Sequence, residues 1–135
     1  MLKVLPIQSK EEQRTLCAIC GIPYDADLMA YIATVDDRTV GICQFTIKED
    51  GGSLRDLVPV PGEAPDAQAL LVMGRAALNF IDLCGTHIAF FDGDPAPAGE
   101  ELIHAIGFRR DETKNGRLTM NLTNFFNAPC QHAQN

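Results

Sequence analysis

The chain is written in short apolar runs broken by turn residues, and the spacing of those runs sets the order of its elements. LKVLPI, stopped by Gln8-Ser9, predicts a first strand. Ser9 with Glu12 three residues on makes a capping box, in which each side chain satisfies a free backbone N–H of a helix start. Helical spacing then puts Leu16, Ile19 and Cys20 on one face, and Gly21 supplies a left-handed stop. LMAYIATV and TVGICQFTIK follow as two strands joined at Asp36-Asp37-Arg38. A second hairpin turns at Glu49-Asp50-Gly51-Gly52 into SLRDLVPV.

The stretch from Ser53 to Gly85 organises the rest. It reads as a strand that runs through the proline-rich bend PVPGEAP into the longest helix, capped by Asp66 behind Pro65 and closed by Cys84 and Gly85. Apolar residues nearly encircle that helix and leave a polar stripe of Gln68, Arg75, Asn79 and Asp82, which predicts a helix sandwiched between the sheet and another element. Gly74 in its interior costs about 1 kcal/mol against alanine, and predicts close approach of a neighbouring backbone. THIAFF, apolar without alternation, predicts a strand covered on both faces and parallel to the one before the helix. EELIHAI is a short helix with Leu102, Ile103 and Ile106 inward, ended by Gly107 and Phe108. Strands near FRRDETK and RLTMNL, turned at Asn115-Gly116, complete the order. The expected fold is α/β in the broad sense (α+β), a mixed sheet of about six to seven strands flanked by three to four helices. One domain spans 1–124, with 125–135 as a C-terminal tail.

Composition narrows the function. A chain of 135 residues with 46% hydrophobic and 21% charged residues buries a core without disulfide staples. Its net charge of -7, with Lys and Arg in isolated pairs such as Arg109-Arg110, argues against nucleic acid as a partner. No apolar run is long enough for a signal peptide or a membrane span, so a cytoplasmic location away from membranes is expected. Five cysteines at irregular spacing fit reduced thiols there. Cys17-Ala-Ile-Cys20 invites a redox or zinc reading. The pair falls at the end of its helix, however, away from the N-terminal dipole that acidifies redox thiols. Cys84, His87, Cys130 and His132 are scattered and form no second ligand pair, so buried apolar cysteines are the better reading and no metal is expected.

The order of elements, LIHAIGF followed by RRDE, and the bend VPVPGEAPDAQALL together resemble the GNAT superfamily of N-acyltransferases, which take an acyl group from coenzyme A. The resemblance covers nearly the whole chain as architecture. It implies acetyl-CoA as cofactor and an amine, of a small molecule or of a protein, as acceptor. In that family V-x-P leads into a loop R/Q-x-x-G-x-G/A whose backbone N–H groups hold the cofactor's pyrophosphate. Matching Pro61 to the family's proline places Ala64, Pro65, Asp66, Ala67, Gln68 and Ala69 on that loop. The cofactor-binding positions implied are Val58, Val60, Ala67, Gln68 and Ala69. Several residues depart from the pattern. Ala64 lacks the basic or amide side chain, Pro65 lacks an N–H, and Glu63 and Asp66 put negative charge where phosphates would sit. Pro59 stands where an aliphatic residue usually offers backbone groups to the pantetheine arm.

Aminolysis of a thioester requires a neutral amine, and so a base or a water path to one, and it gains from an acid beside the departing thiolate. The resemblance implies Asp56, on the fourth strand, as the base. The plain alternative is a solvated pair with Arg55. The family's tyrosine acid, five residues before Phe108, is replaced by Ile103, and His104 points to another helix face. Tyr24, in the loop after the first helix, is the residue expected to line an acceptor pocket. Three readings stay open: acetyl transfer to an unidentified amine, a GNAT-fold binding or interaction module without acyl transfer, and a thiol or metal protein at Cys17 and Cys20. An exposed strand edge or Phe125-Phe126 would support a homodimer.

Overall fold

In the computed structural model, which describes residues 1–126, the apolar runs form one mixed sheet. Its strands are β1 (Leu2–Pro6), β2 (Met29–Val35), β3 (Arg38–Lys48), β4 (Gly51–Pro59), β5 (Ile88–Phe91), β6 (Arg109–Asp111) and β7 (Arg117–Asn121), in the spatial order β1-β2-β3-β4-β5-β7-β6. Three helices flank it: α1 (Lys10–Cys20), α2 (Ala67–Leu83) and α3 (Glu100–Ile106). The expected mixed α+β architecture is the one observed. No helix among the described residues is long and apolar enough to cross a membrane.

Local chemistry explains most boundaries. Ser9 accepts the Glu12 N–H and starts α1, which Gly21 ends at φ +71°. Asp36 and Asp37 both take positive φ, as a two-residue turn matched to strand twist requires, and set the β2–β3 register. β6 stops at Asp111, short of the predicted strand, because that carboxylate accepts the Thr113 N–H and caps a 3-10 turn over Glu112–Lys114.

Adjacent residues on a strand face opposite sides of the sheet, and the core divides accordingly. Ile42 and Val58 pack with Leu16 and Cys17 of α1, whereas Cys43 and Leu57 join the larger core beneath α2 and α3. α2 buries Leu70, Met73, Leu78 and Ile81, each contributing about 1.5–3 kcal/mol through burial. Gly74 sits where a Cβ would stand 2.8 Å from the Ile106 Cδ1 of α3, so a larger residue would have to push the end of that side chain aside. The close neighbour is thus a side chain and not the backbone that the sequence reading expected. On α1 the inward face carries Gln13, Leu16 and Cys17, while Ile19 is 53% exposed. The predicted face is turned because Gln13 has polar partners inside. Phe125 and Phe126 pack against the main core, edge to face at 4.9 Å. Residues 127–135, with Cys130 and His132, lie outside the described residues.

Candidate functional site

β4 and β5 are parallel and pair only over Gly52↔Ala89, Ser53↔Phe90 and Leu54↔Phe91. The Asp92 N–H closes the pairing on the Leu54 carbonyl at 2.8 Å, after which β4 continues along that edge without β5. On its other edge Gln44 of β3 pairs with Asp56 and Phe45 with Leu54, which leaves Arg55 as an extra, bulged residue. The bulge decides which backbone groups meet the opening. Val60 donates its N–H to the Val40 carbonyl at 2.9 Å, so alternation sends the backbone groups of Asp56, Val58 and Val60 towards β3. Leu57 and Pro59 then face the edge that β5 has left. Gly93, just past β5, crosses the bulge so closely that a Cβ on it would fall 1.7 Å from the Arg55 carbonyl oxygen.

Asp56 is no solvated surface charge, since its side chain is 13% exposed. Gln44 Nε2 donates to Asp56 Oδ2 at 2.7 Å and Arg55 Nε donates to the same oxygen at 2.9 Å. Gln44 is itself fully buried and is held from behind: Gln13 Nε2 donates to Gln44 Oε1 at 2.9 Å, and Lys10 Nζ donates to Gln13 Oε1 at 3.2 Å. The guanidinium of Arg55 also bonds the Pro23 carbonyl and approaches Asp25 at 3.5 Å, tying the loop after α1 to β4. This chain of buried amides fixes the carboxylate and leaves Oδ1 without a partner among the described residues. Such a network specifies geometry because every break exposes an unsatisfied group.

Asp56 opens onto a cavity of about 400 Å³ between the α1–β2 loop, the free edge of β4 and the loop after β5. Cys20, Ile22, Pro23, Val58 and Pro97 give it apolar walls, and Asp94 adds a second carboxylate. Tyr24 is placed elsewhere, with its ring under the Arg14 guanidinium at 5.0 Å. Ile103, at the family's acid position, is buried, and His104 is exposed on another face. Burial, and after it the nearby Asp56 charge, pushes the Cys17 thiol up to about 11; burial raises Cys20 as well. Both stay protonated near neutrality and are poor nucleophiles. Among the described residues no three His, Cys, Asp or Glu side chains gather as a metal site.

The resemblance implies a nucleotide diphosphate at the start of α2, where two carboxylates oppose one. Asp66 Oδ1 accepts the Ala69 N–H at 3.0 Å, so the helix satisfies with its own carboxylate a donor that an anion would use. Glu63 adds a second negative charge, and the nearby Arg38 is already bonded to it at 2.7 Å. Of the other positions implied for the cofactor, Ala67 and Gln68 are exposed at the helix start, Ala69 is buried, and Val58 is buried among the residues that pack on α1. Gln13, Gln44 and Asp94 were not foreseen. The available signal was Gln44, a lone amide inside the apolar run ICQFTI.

No family model and no curated protein sequence matches the chain. Its fold does match solved structures. The PaiA N-acetyltransferase from Thermoplasma acidophilum, in complex with coenzyme A, superposes with a TM-score of 0.67 at 12% identity, covering 90% of this chain and 99% of that one. The type Ii aminoglycoside 6'-acetyltransferase gives 0.66 at 12%, covering 89% and 97%. The ribosomal-protein-S18-alanine N-acetyltransferase from Escherichia coli gives 0.63 at 11%, covering 90% and 94%. Likeness at these identities establishes architecture: the chain has the GNAT fold that its order of elements predicted.

Proposed function

We propose that the chain is an N-acyltransferase that moves an acetyl group from a thioester to the amine of a small molecule or protein, with Asp56 as the base. The observation that carries this reading is Asp56 itself, a carboxylate fixed through one oxygen by Gln44 and Arg55 and facing a cavity where β4 and β5 part. Asp56 and Asp94 favour an ammonium group at the mouth, while the apolar walls suit its carbon skeleton. Asp56 takes a proton from that ammonium, directly or through one water. The nitrogen lone pair then attacks the thioester carbonyl carbon, the C–N bond forms as the C–S bond breaks, and the leaving thiolate takes its proton from solvent. Pro59, half-buried and lining the cavity, turns its C=O to the free edge of β4, where an amide-bearing thioester arm would meet it. The fold implies acetyl-CoA as the source of such a thioester.

The test is acetyl transfer from acetyl thioesters to a panel of primary amines, followed by mass spectrometry. Asp56→Asn is expected to lower kcat/KM by about 100-fold while leaving the fold intact. An unchanged rate would remove Asp56 from the mechanism, and no product from any amine would remove the reaction. A second reading, a binding module without turnover, is favoured by the self-capped start of α2 and by Ile103 in place of an acid. On that reading amines raise the melting temperature and no product forms.

A further inference from the structure

We infer that a second ligand site, apart from the Asp56 cavity, lies where β1 gives way to α1, and that it takes a short aliphatic monocarboxylate. β1 pairs with β2 as far as Pro6↔Tyr31, the Ile7 N–H closes on the Ala30 carbonyl at 2.9 Å, and the chain then leaves the sheet for α1. A cavity of about 130 Å³ opens at that departure. Its walls include Ile7, Met29 and the rings of Tyr31, Phe45 and Phe80, which pack in series with centroids 5.3 and 6.0 Å apart, and its charged residue is Lys10. Two bonds hold the Lys10 ammonium, to the Leu28 carbonyl at 2.6 Å and to Gln13 Oε1 at 3.2 Å, and since an ammonium carries three protons one is left to offer. No carboxylate pairs with Lys10 among the described residues. In a chain of net charge -7, the cavities beside α1, at the start of α2 and at Asp56 each contain acidic residues, whereas this one contains none. A cation with a proton to spare at the rim of an apolar cavity suits a monoanion, and the walls suit its hydrocarbon. The volume is about that of four water molecules in the liquid, so only a chain of a few carbons fits. A dianion would bring charge that nothing in the cavity answers.

The experiment titrates the isotope-labelled full chain with isovalerate and with isovaleramide, which share a shape and differ in charge, and follows backbone and side-chain amides by heteronuclear NMR. Wild-type protein is expected to bind isovalerate with a Kd on the order of 1 mM, and isovaleramide at least about tenfold more weakly, the difference that one charge-assisted bond makes. The backbone amides of Ile7, Met29 and Tyr31 should shift. The side-chain amide of Gln13 should shift with them, because a carboxylate on Lys10 competes with Gln13 Oε1 for the ammonium protons. Lys10→Met keeps the apolar stem and removes the charge, and is expected to bind isovalerate as weakly as wild type binds the amide; Lys10→Arg should restore most of the affinity. Equal affinity for acid and amide, unchanged isovalerate binding by Lys10→Met, or shifts confined to other parts of the chain would each overturn the inference. So would the absence of any shift up to about 20 mM, beyond the weakest affinity such a site would show. Acid and amide are compared on wild-type protein, so that comparison decides the matter should Lys10→Met not fold. Either result leaves the transferase reading as it stands, since the two cavities share no lining residue.

Discussion

Gln44→Glu tests the amide chain behind Asp56 with almost no change of shape. The wild-type amide donates to Asp56 Oδ2 at 2.7 Å from a fully buried position, and the substitution turns that donor into a second carboxylate at hydrogen-bond distance from the first. Burial and like charge both oppose its ionisation, and together raise the introduced carboxyl by about three pKa units above an ordinary glutamate near 4.3. Each unit corresponds to about 1.4 kcal/mol, so the cost approaches about 4 kcal/mol once the pH exceeds the folded-state value near 7. The sign is fixed by linkage. A carboxyl whose folded pKa is raised is tolerated below its unfolded pKa and loses stability as pH rises towards the folded one, so the gap from wild type should be small at pH 4.5 and full by pH 8. Gln44→Met serves as the neutral control and should lose about 2 kcal/mol at every pH, from the broken bond to a charged partner. Urea unfolding followed by circular dichroism between pH 4.5 and 8 reads both. A Gln44→Glu protein that tracks the control across that range would show that the amide does not hold Asp56.

Gly93→Ala should destabilise by about 3 kcal/mol or more, since its Cβ would meet the Arg55 carbonyl oxygen at 1.7 Å and backbone cannot yield as a side chain does; a loss under about 0.5 kcal/mol in urea would refute the close crossing. Hydrogen bonds from Arg117, and then from Ser53, hold the Asp92 carboxyl below its usual range, so its contribution is present above the unfolded pKa and lost as pH falls through the folded one. Asp92→Asn should therefore flatten the acid limb of a melting-temperature profile. Cys17 is raised from 9.0 to about 11, so its contribution is complete below pH 9 and declines as pH rises towards 11; Cys17→Ala should reduce that alkaline slope. In native protein at pH 8, iodoacetamide should label the exposed Cys84 and spare the buried Cys17, and labelling of both would show that the packing under α1 is loose.

Features decided by local chemistry were legible in the sequence. Ser9, Gly21, Asp66 and the Asp36-Asp37 turn act on their own backbone neighbourhood, and each element boundary they predict is where the chain turns or caps. The parallel β4–β5 pair was legible too, because a long helix between two apolar runs leaves few other connections. What escaped depends on partners distant in sequence. The bulge at Arg55 exists only through pairing with Gln44 and Phe45 of β3. The inward turn of Gln13 depends on Gln44 and on the Leu28 carbonyl, and it carries Ile19 outward. Tyr24 has the expected loop position and a different neighbour, Arg14, which the turn of α1 supplies. Asp56 was implied only by the family resemblance, and Gln44, the amide that holds it, is connected to it by no spacing rule.

The prolines that look like damage to a cofactor loop have a consistent place in this architecture. A proline inside a sheet is costly where its missing N–H belonged to a ladder, and Pro59 lies in a strand with a neighbour on the β3 side. Alternation turns the backbone nitrogen of Pro59 the other way, to the edge β5 abandons after Leu54, so no ladder bond is lost. Were β5 to continue beside β4, the same residue would leave a partner unpaired. Pro59 thus marks the splay in the sequence itself, and it favours a β4 edge that stays open over one that zips shut. Pro65 acts in the same sense one turn later, by setting the chain for the Asp66 cap and withholding a donor from the helix start. The two prolines thus shape the strand edge and the helix entry without costing a ladder bond, and Glu63 and Asp66 set negative charge beside the start of α2.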